Sequence, residues 1–288
     1  MEKYLIFMDV SGDVDPEVAQ EYELKFLPMD YTLGNNMRKC EKMEDKDTLK
    51  LFYDGQRKGD FTKTTQISPY MYEEFMTPYF EEGYSVLYIS LSGGLSSTYE
   101  SACHAKKELK KKYPAQDFYV VNSLAATGGM GVLVERAIRN KKNGLSAKQN
   151  FDDLTFATHR LKHWFMVQDL NYLKRGGRIS AATAAMGTML NVRPILKIDE
   201  EGKLVTIAKK RGDKAAAREL LDRFAETYDP GMGDAIYIID ADNNEIAAVI
   251  QEKLETMYPN AVIRRSMLSP IIGAHTGPGM VAICHMGK

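Results

Sequence analysis

The sequence predicts an α/β protein in two parts, an N-terminal domain over residues 1–150 built on a parallel sheet and a C-terminal α/β domain over residues 151–288 with a mixed sheet. Three observations carry this. The 288 residues exceed the usual domain of roughly 100 to 150 residues, so two hydrophobic cores are expected. From residue 68 to residue 140, short apolar runs alternate with helical patterns, the βαβα signature of a parallel sheet covered on both faces. Beyond Gly176 the pattern changes, and two strand-like runs are joined by a tight turn, which implies an antiparallel hairpin. No linker rich in Pro or Ser marks the boundary, and no internal repeat is evident.

Each element has a local reason. The opening YLIFMDVSGDVD is an apolar run ending in turn residues, a buried strand and loop. A polar, poorly periodic region follows to about residue 62. Ser68 and Pro69 start a helix with aromatic and Met residues at helical spacing, and Gly83 ends it before the strand YSVLYIS. After the turn SGGLSS come a helix ending before Pro114, the strand FYVVN, and a helix from Ala125 to Asn140. Ser146 and Gln149 form a capping box for a helix reaching about Lys162. WFMVQDL then reads as a strand and short helix stopped by Gly176, and Ser180 caps an alanine-rich helix to about Leu190. PILKIDEEGKLVTIAKKR is the hairpin, turning at Glu201 and Gly202. Helices over 213–228 and 244–258 alternate with the strands AIYIID, AVIRRSML and MVAICHM.

Composition excludes several classes of function. Hydrophobic residues make up 44% and charged residues 27%, as in a chain that folds in water. Lys plus Arg number 38 against 39 Asp plus Glu, which leaves no basic surplus to neutralise a phosphate backbone, so nucleic acid is not an expected partner. Cys40, Cys103 and Cys284 are odd in number and far apart, without a CxxC pair, and this suits a reducing compartment. No apolar run approaches the ~20 residues that span a bilayer, and YLIFM is too short for a signal peptide core. The chain therefore reads as cytoplasmic, with no stable membrane insertion.

Four polar turns concentrate the candidate chemistry. SLSGGLSSTYESA, residues 90–102, runs from strand to helix through glycines and hydroxyls, so that unpaired helix N–H groups and the Ser96, Ser97 and Thr98 hydroxyls suit an anion. The plainer reading is a helix cap. TKTTQISP, residues 62–69, sets hydroxyls and an amide ahead of a helix. LKRGGRIS, residues 173–180, places Arg175 and Arg178 around two glycines, which fits oxyanion recognition as well as a helix stop with solvated arginines. GAHTGPG, residues 273–279, holds His275 in a loop of special backbone, and Lys209, Lys210 and Arg211 add positive charge at the end of the hairpin. Other features read as structural. His159 and His163 lie four apart but lack the Glu of a zinc-binding helix and are expected as an exposed pair. Asp9, Asp13 and Asp15 suit turn and cap duty, and the lysines of residues 106–112 suit a solvated helix face.

Taken together and in this order, these segments resemble the DegV family, whose members include the fatty-acid-binding FakB subunits of bacterial fatty acid kinase. The resemblance covers essentially the whole chain. It rests on Asp9-Val10-Ser11, Thr64-Thr65-Gln66-Ile67-Ser68, Gly94-Leu95-Ser96-Ser97-Thr98-Tyr99 and Asn122-Ser123, and most closely on LKRGGRIS, NVRPIL and GAHTGPG. Ile67 stands where the family has Pro, and Asn122 where it has Asp. The resemblance implies a two-domain α/β fold with one long-chain fatty acid in a buried tunnel. It further implies that Thr64, Ser96 and His275 bind the carboxylate and that Arg178 and Arg211 stabilise the head group and a transferred phosphoryl group. An ATP-dependent kinase subunit is the implied partner, forming an acyl phosphate. This chain would be a non-catalytic lipid-binding subunit with no cofactor of its own, since no Gly-Lys-Ser/Thr nucleotide loop is present.

The energetics are coherent. Burying a chain of fifteen methylenes gains roughly 12 kcal/mol before ordering costs, at about 0.8 kcal/mol for each. The carboxylate is the costly part, because an ion taken from water needs hydrogen bonds or countercharge. The alternative is a serine hydrolase acting on a lipid or ester through Ser96 and His275, since Gly94 to Thr98 nearly forms a GxSxG elbow. Thr98 argues against it, because the elbow needs a small residue at that point.

Overall fold

A computed structural model describes residues 3–180 and 191–288 of the chain. The N-terminal half is organised on a four-stranded parallel sheet of β1 (Tyr4–Asp9), β2 (Lys25–Leu27), β6 (Ser85–Ser90) and β7 (Phe118–Asn122), in the order β2-β1-β6-β7. Every residue of β6 is buried, as a strand covered on both faces requires. Helix α3 (Pro69–Glu81) lays Phe75 and Tyr79 edge-on against Phe7 of β1, and α4 (Thr98–Lys112) packs beside it and on β7. Ser68 caps α3 by accepting the Met71 N–H at 3.3 Å, with Pro69 in the first turn as expected. The lysines at the end of α4 are exposed, the solvated face the charge run implies.

Helix α5 (Gly128–Lys142) and helix α6 (Ala147–Thr158) complete this layer. The predicted capping box of Ser146 and Gln149 is present on α6. Helix α5 starts three residues later than its alanines imply, because the Ala125 carbonyl is taken by the Ser92 N–H at 2.9 Å and Thr127 acts as the cap. Residue 150 lies inside α6, which packs on β6 and β7.

The polar stretch before residue 62 holds more structure than its periodicity implies. It contains α1 (Pro16–Glu21), capped by Asp15, and α2 (Lys46–Arg57). It also contains a small antiparallel sheet of β3 (Met29–Leu33), β4 (Asn36–Cys40) and β5 (Thr62–Thr64), in the order β4-β3-β5. These strands hide from pattern reading because they are short and because four of the five β4 residues are exposed, which erases any alternation.

The C-terminal half is organised on a six-stranded mixed sheet, ordered β10-β9-β8-β13-β11-β12. Its strands are β8 (Leu161–Met166), β9 (Val192–Ile198), β10 (Leu204–Arg211), β11 (Ile236–Asp240), β12 (Ile263–Met267) and β13 (Val281–Met286). Only β11 and β12 run parallel, and β9 with β10 forms the predicted hairpin. The period-2 alternation splits the sheet cleanly. Trp164, Met166, Ile238 and Ile283 pack on one face with α8 (Asp213–Thr227) and α9 (Asn244–Met257). Phe165, Leu196, Ile239 and Ala282 on the other face join the core of the N-terminal half.

Helix α5 lies between the two sheets, packing on β1 and β6 and also on β11 and β13. Its first turn is Gly128-Gly129-Met130-Gly131. A Cβ on Gly128 would stand 2.7 Å from Ile239, and one on Gly131 2.8 Å from the Tyr237 ring. Close approach of helix to sheet therefore depends on glycine.

Two expectations need correction. The helix after the capping box ends at Thr158, and Leu161 already begins β8. His159 and His163 thus do not share a helical face; His159 is exposed, but His163 is 3% exposed within a strand paired on both sides. Ladder pairing with β9 and β13 overrides the local helical pattern. Secondly, GAHTGPG is not wholly loop, since His275 sits in the last turn of α10 (Pro270–Thr276), which Gly277 ends at φ 75°. Most of the alanine-rich helix expected after Ser180, residues 181–190, lies outside the described residues.

Candidate functional site

Side chains from both halves line a cavity of about 420 Å³, a volume within the range of ligand pockets. Its walls are mainly apolar and include Met29, Leu91, Phe165, Ile198, Leu204 and Ile271. Thr64, Ser96, Arg178 and His275 also line it, so four of the five site residues expected from the sequence come together.

His275 reaches the cavity because α10 is fastened to the N-terminal half. The Tyr53 hydroxyl donates to the Leu268 carbonyl at 2.8 Å, Gln56 Nε2 to the Gly273 carbonyl at 3.0 Å, and the Thr62 hydroxyl to the Ala274 carbonyl at 3.0 Å. These bonds leave Thr64 Oγ1 2.8 Å from His275 Nε2. On the other side of the ring, Gly176 lies so close that a Cβ there would collide with Nδ1. Burial, and then the positive charge of Arg178, pushes the His275 pKa down to about 4. The ring is therefore neutral at neutral pH and bears a proton readily only when an anion arrives.

Ser96 serves two ends. Its Oγ accepts the Thr98 N–H at 3.3 Å within the turn and stands 2.9 Å from Thr98 Oγ1, while Ser97, at the cap position of α4, makes no side-chain cap bond. The turn that carries it is pinned from behind. Ser92 donates to the Gly202 carbonyl of the hairpin at 2.8 Å, and the Gly93 N–H donates to Asn122 Oδ1 at 3.0 Å. Asn122 thus supplies the acceptor that Asp would supply there. Asp9, 0% exposed, accepts from the Leu91 N–H at 3.0 Å, the Tyr88 hydroxyl at 2.7 Å and both donors of Ser11. That joins the ends of β1 and β6, a structural duty, while Asp15 caps α1. Asp13 accepts from the Ser269 N–H at the start of α10, at 2.9 Å, and burial pushes its pKa up to about 8.

Arg178 donates through Nε to the Leu95 carbonyl at 3.1 Å and through Nη1 to the Gly176 carbonyl. It therefore ties the LKRGGRIS turn to the turn bearing Ser96 and keeps its charge beside His275. Desolvation lowers its pKa, which raises the value of an anionic partner at that position. Arg211 is not brought to the cavity. It is exposed at the far end of β10, seven residues beyond the cavity-lining Leu204, or about 23 Å along a strand.

Several lining residues escape sequence reasoning, notably His163, Phe165, Ala282 and Cys284. They lie on one face of β8 and β13, with Phe165 opposite Ala282 and His163 opposite Cys284. The alternation of β8 was the available signal, and it was masked by the helical pattern running into it. A nucleophile–base pair is not formed, because Ser96 bonds with Thr98 and His275 with Thr64. Among the described residues no group of three or more His, Cys, Asp or Glu is placed to hold a metal, and no helix is long and apolar enough to cross a membrane.

Comparisons with known proteins agree along the whole length. A family model described as "Uncharacterised protein, DegV family" matches residues 3–288. A DegV domain-containing protein of Clostridium perfringens is 31% identical over 287 residues, covering 100% of this chain and 98% of the relative. DegV domain-containing protein YteA of Lactococcus lactis is 33% identical over 287 residues, covering 99% and 98%. Among solved structures, the fold is similar to that of a DegV lipid binding protein of Thermotoga maritima, with 27% identity and a TM-score of 0.84 over 99% of this chain and 98% of the other. A second Thermotoga maritima protein, whose structure is described as revealing a fatty acid binding function, matches at 26% identity and a TM-score of 0.82 over 99% and 100%. The Fak B3 protein of Streptococcus pneumoniae, solved loaded with linoleic acid, matches in fold with a TM-score of 0.85 at 21% identity over 99% and 100%.

Proposed function

This chain belongs to the DegV family, and from that premise we propose that it binds one long-chain fatty acid in the cavity between its two sheets. Thr64, Ser96 and His275 hold the carboxylate, and Arg178 supplies the charge beside it. The observation that carries the reading is the convergence of these four side chains on a cavity that Met29, Leu91, Phe165, Ile198, Leu204 and Ile271 also wall. An acyl chain supplies the buried area, while hydroxyls, a neutral imidazole ready to take a proton and a desolvated guanidinium offset the cost of burying its acid. The fatty acid binding described for the Thermotoga maritima relative and for a Thermus thermophilus DegV protein supports the same reading.

The finer part of the proposal is that the bound acid is presented to an ATP-dependent kinase for acyl-phosphate formation, with this chain cytoplasmic and non-catalytic on its own. The likeness to the Fak B3 protein supports it. Phosphoryl transfer depends on positioning and charge neutralisation, which is the part we give to Arg178 and, in the complex with the kinase, to the exposed Arg211. The division at residue 150 belongs to the same proposal, each half contributing one wall and part of the polar cluster.

Organic extraction of the purified chain followed by mass spectrometry tests the binding step. Long-chain acids near one per chain are expected. Repeatedly empty extracts from folded protein that also fails to take up added fatty acid would overturn the reading.

A further inference from the structure

Strands β8 and β9 pair over three residues only, Trp164, Phe165 and Met166 against Lys197, Leu196 and Ile195. Beyond Trp164 the pairing stops. There β8 runs on beside β13, with His163 opposite Cys284, and β9 ends beside β10, with Ile198 opposite Leu204. These four side chains all line the cavity. A separate space of about 140 Å³ lies where the two strands part, and Leu124, Leu161 and Trp164 give it apolar walls beside Lys162, Lys197 and Asp199.

His163 and Ile198 line both spaces, so a single layer of side chains divides them. The two residues are not equivalent. The His163 ring is 3% exposed and packs on Gly129, where any Cβ would collide with it, so it is fixed from behind. Ile198 is half-buried at the end of β9, next to the hairpin turn. That turn is itself held. The Ser92 hydroxyl donates to the Gly202 carbonyl at 2.8 Å, and a Cβ on Gly94 would stand 2.6 Å from the same oxygen. With the strands on both sides anchored, the Ile198 side chain is what shuts the slot between them. The slot also lies apart from the carboxylate cluster, since Arg178 acts on His275 but is not among the charges acting on His163.

Resting on the lipid-binding reading, we propose that Ile198 is a specificity-determining residue that closes the slot between β8 and β9 and so sets the longest acyl chain the cavity holds. With the carboxylate fixed at Thr64 and His275, added chain length is taken up at the other end. Each methylene that finds apolar room there raises affinity about fourfold. Carbons that meet a closed wall overpack it and gain nothing.

The test measures myristic, palmitic, stearic, arachidic and behenic acids binding to delipidated wild-type protein, Ile198→Ala and Leu204→Ala. Leu204 is the comparison because it lines the cavity opposite Ile198 but not the slot. In the wild type, affinity should climb with chain length and stop climbing within the series. Ile198→Ala should move that limit to a longer acid, the first member beyond the wild-type limit gaining roughly tenfold over the one before it as its two extra methylenes find room. Leu204→Ala should lower affinity without moving the limit. An unmoved limit in Ile198→Ala overturns the inference, as does the same move in Leu204→Ala or a wild-type affinity still climbing at behenic acid. If Ile198→Ala does not fold, Ile198→Val decides, with a smaller gain in the same direction. Failure of every acid to bind the wild type defeats the lipid-binding reading itself, whereas binding with an unmoved limit defeats only the role of Ile198.

Discussion

The Thr64 hydroxyl and His275 Nε2 stand 2.8 Å apart although 211 positions separate them in the chain. One belongs to the edge of the small antiparallel sheet and the other to the last turn of α10, so this bond closes the polar end of the cavity across the two halves of the molecule. Because the imidazole is neutral, the hydroxyl donates to it in the empty protein or accepts from it, and an arriving carboxylate competes for the same pair.

Removal of either hydroxyl is expected to weaken fatty acid loading. A hydrogen bond to a charged group contributes about 1.5–3 kcal/mol, so Thr64→Ala and Ser96→Ala should each raise the dissociation constant by about ten- to a hundredfold. His275→Ala should lose more acyl-phosphate formation, measured with the kinase, than it loses loading. Full retention of loading and phosphorylation in all three variants would remove the site assignment.

Gly176→Ala should imitate damage to His275 without touching it. The added methyl occupies the space of Nδ1, so the ring must turn away from Thr64. Loading is expected to fall by about tenfold, as for one lost charge-assisted bond, while the urea midpoint moves little because Gly176 lies at the end of the short α7 (Asn171–Arg175). An affinity equal to wild type would show that the ring position does not matter.

Acid should destabilise the fold through its buried histidines. His163 and His285, held neutral by burial, have pKa values pushed down to about 3 and about 4. Once the chain unfolds they take up protons near pH 6.5. At these rings protons favour the unfolded state, and their contribution to stability falls as pH drops from about 6.5 towards about 4, by at most about 1.4 kcal/mol per pH unit for each ring; Asp13, raised by burial to about 8, takes up its proton on folding and offsets one ring over that range. Urea unfolding at neutral pH and at mildly acid pH reads the slope, and His285→Gln should reduce it.

Tyr53→Phe leaves the Leu268 carbonyl without its donor at the start of α10. Leaving a buried acceptor unpaired costs about 1–3 kcal/mol, and denaturant unfolding should show it. A change smaller than experimental error would mean that Gln56 and Thr62 hold α10 unaided.

A serine-directed fluorophosphonate should fail to label Ser96, because its hydroxyl bonds within its own turn. Labelling at that residue, abolished in Ser96→Ala, would revive the hydrolase alternative.

The repeating strand–helix order from residue 68 onwards was legible because β6 and β7 are apolar runs and because α3 and α6 carry unambiguous caps in Ser68 and Ser146. Ser96, Arg178 and His275 lie in polar turns whose glycines stand out in the sequence, whereas Thr64 lies in a glycine-free turn that is weak by itself, and it was the family resemblance that singled out all four. The walls between them were not found. Whether Phe165 faces the cavity or the opposite core depends on the register of β8 between β9 and β13, which involves partners distant in sequence. Arg211 was expected near the head group because the family resemblance implies it, whereas the length of the strand ahead of it decides where it lies.

The glycine-faced turn of α5 has a consequence for any attempt to divide the molecule. Sheets on both sides share that one helix as a wall, so neither part owns a finished interior. A fragment stopping at residue 150 is expected to carry a naked notch where Ile239 and Tyr237 belong, and its complement to be left with an uncovered greasy sheet; expressed apart they should clump, and expressed together they should rescue each other.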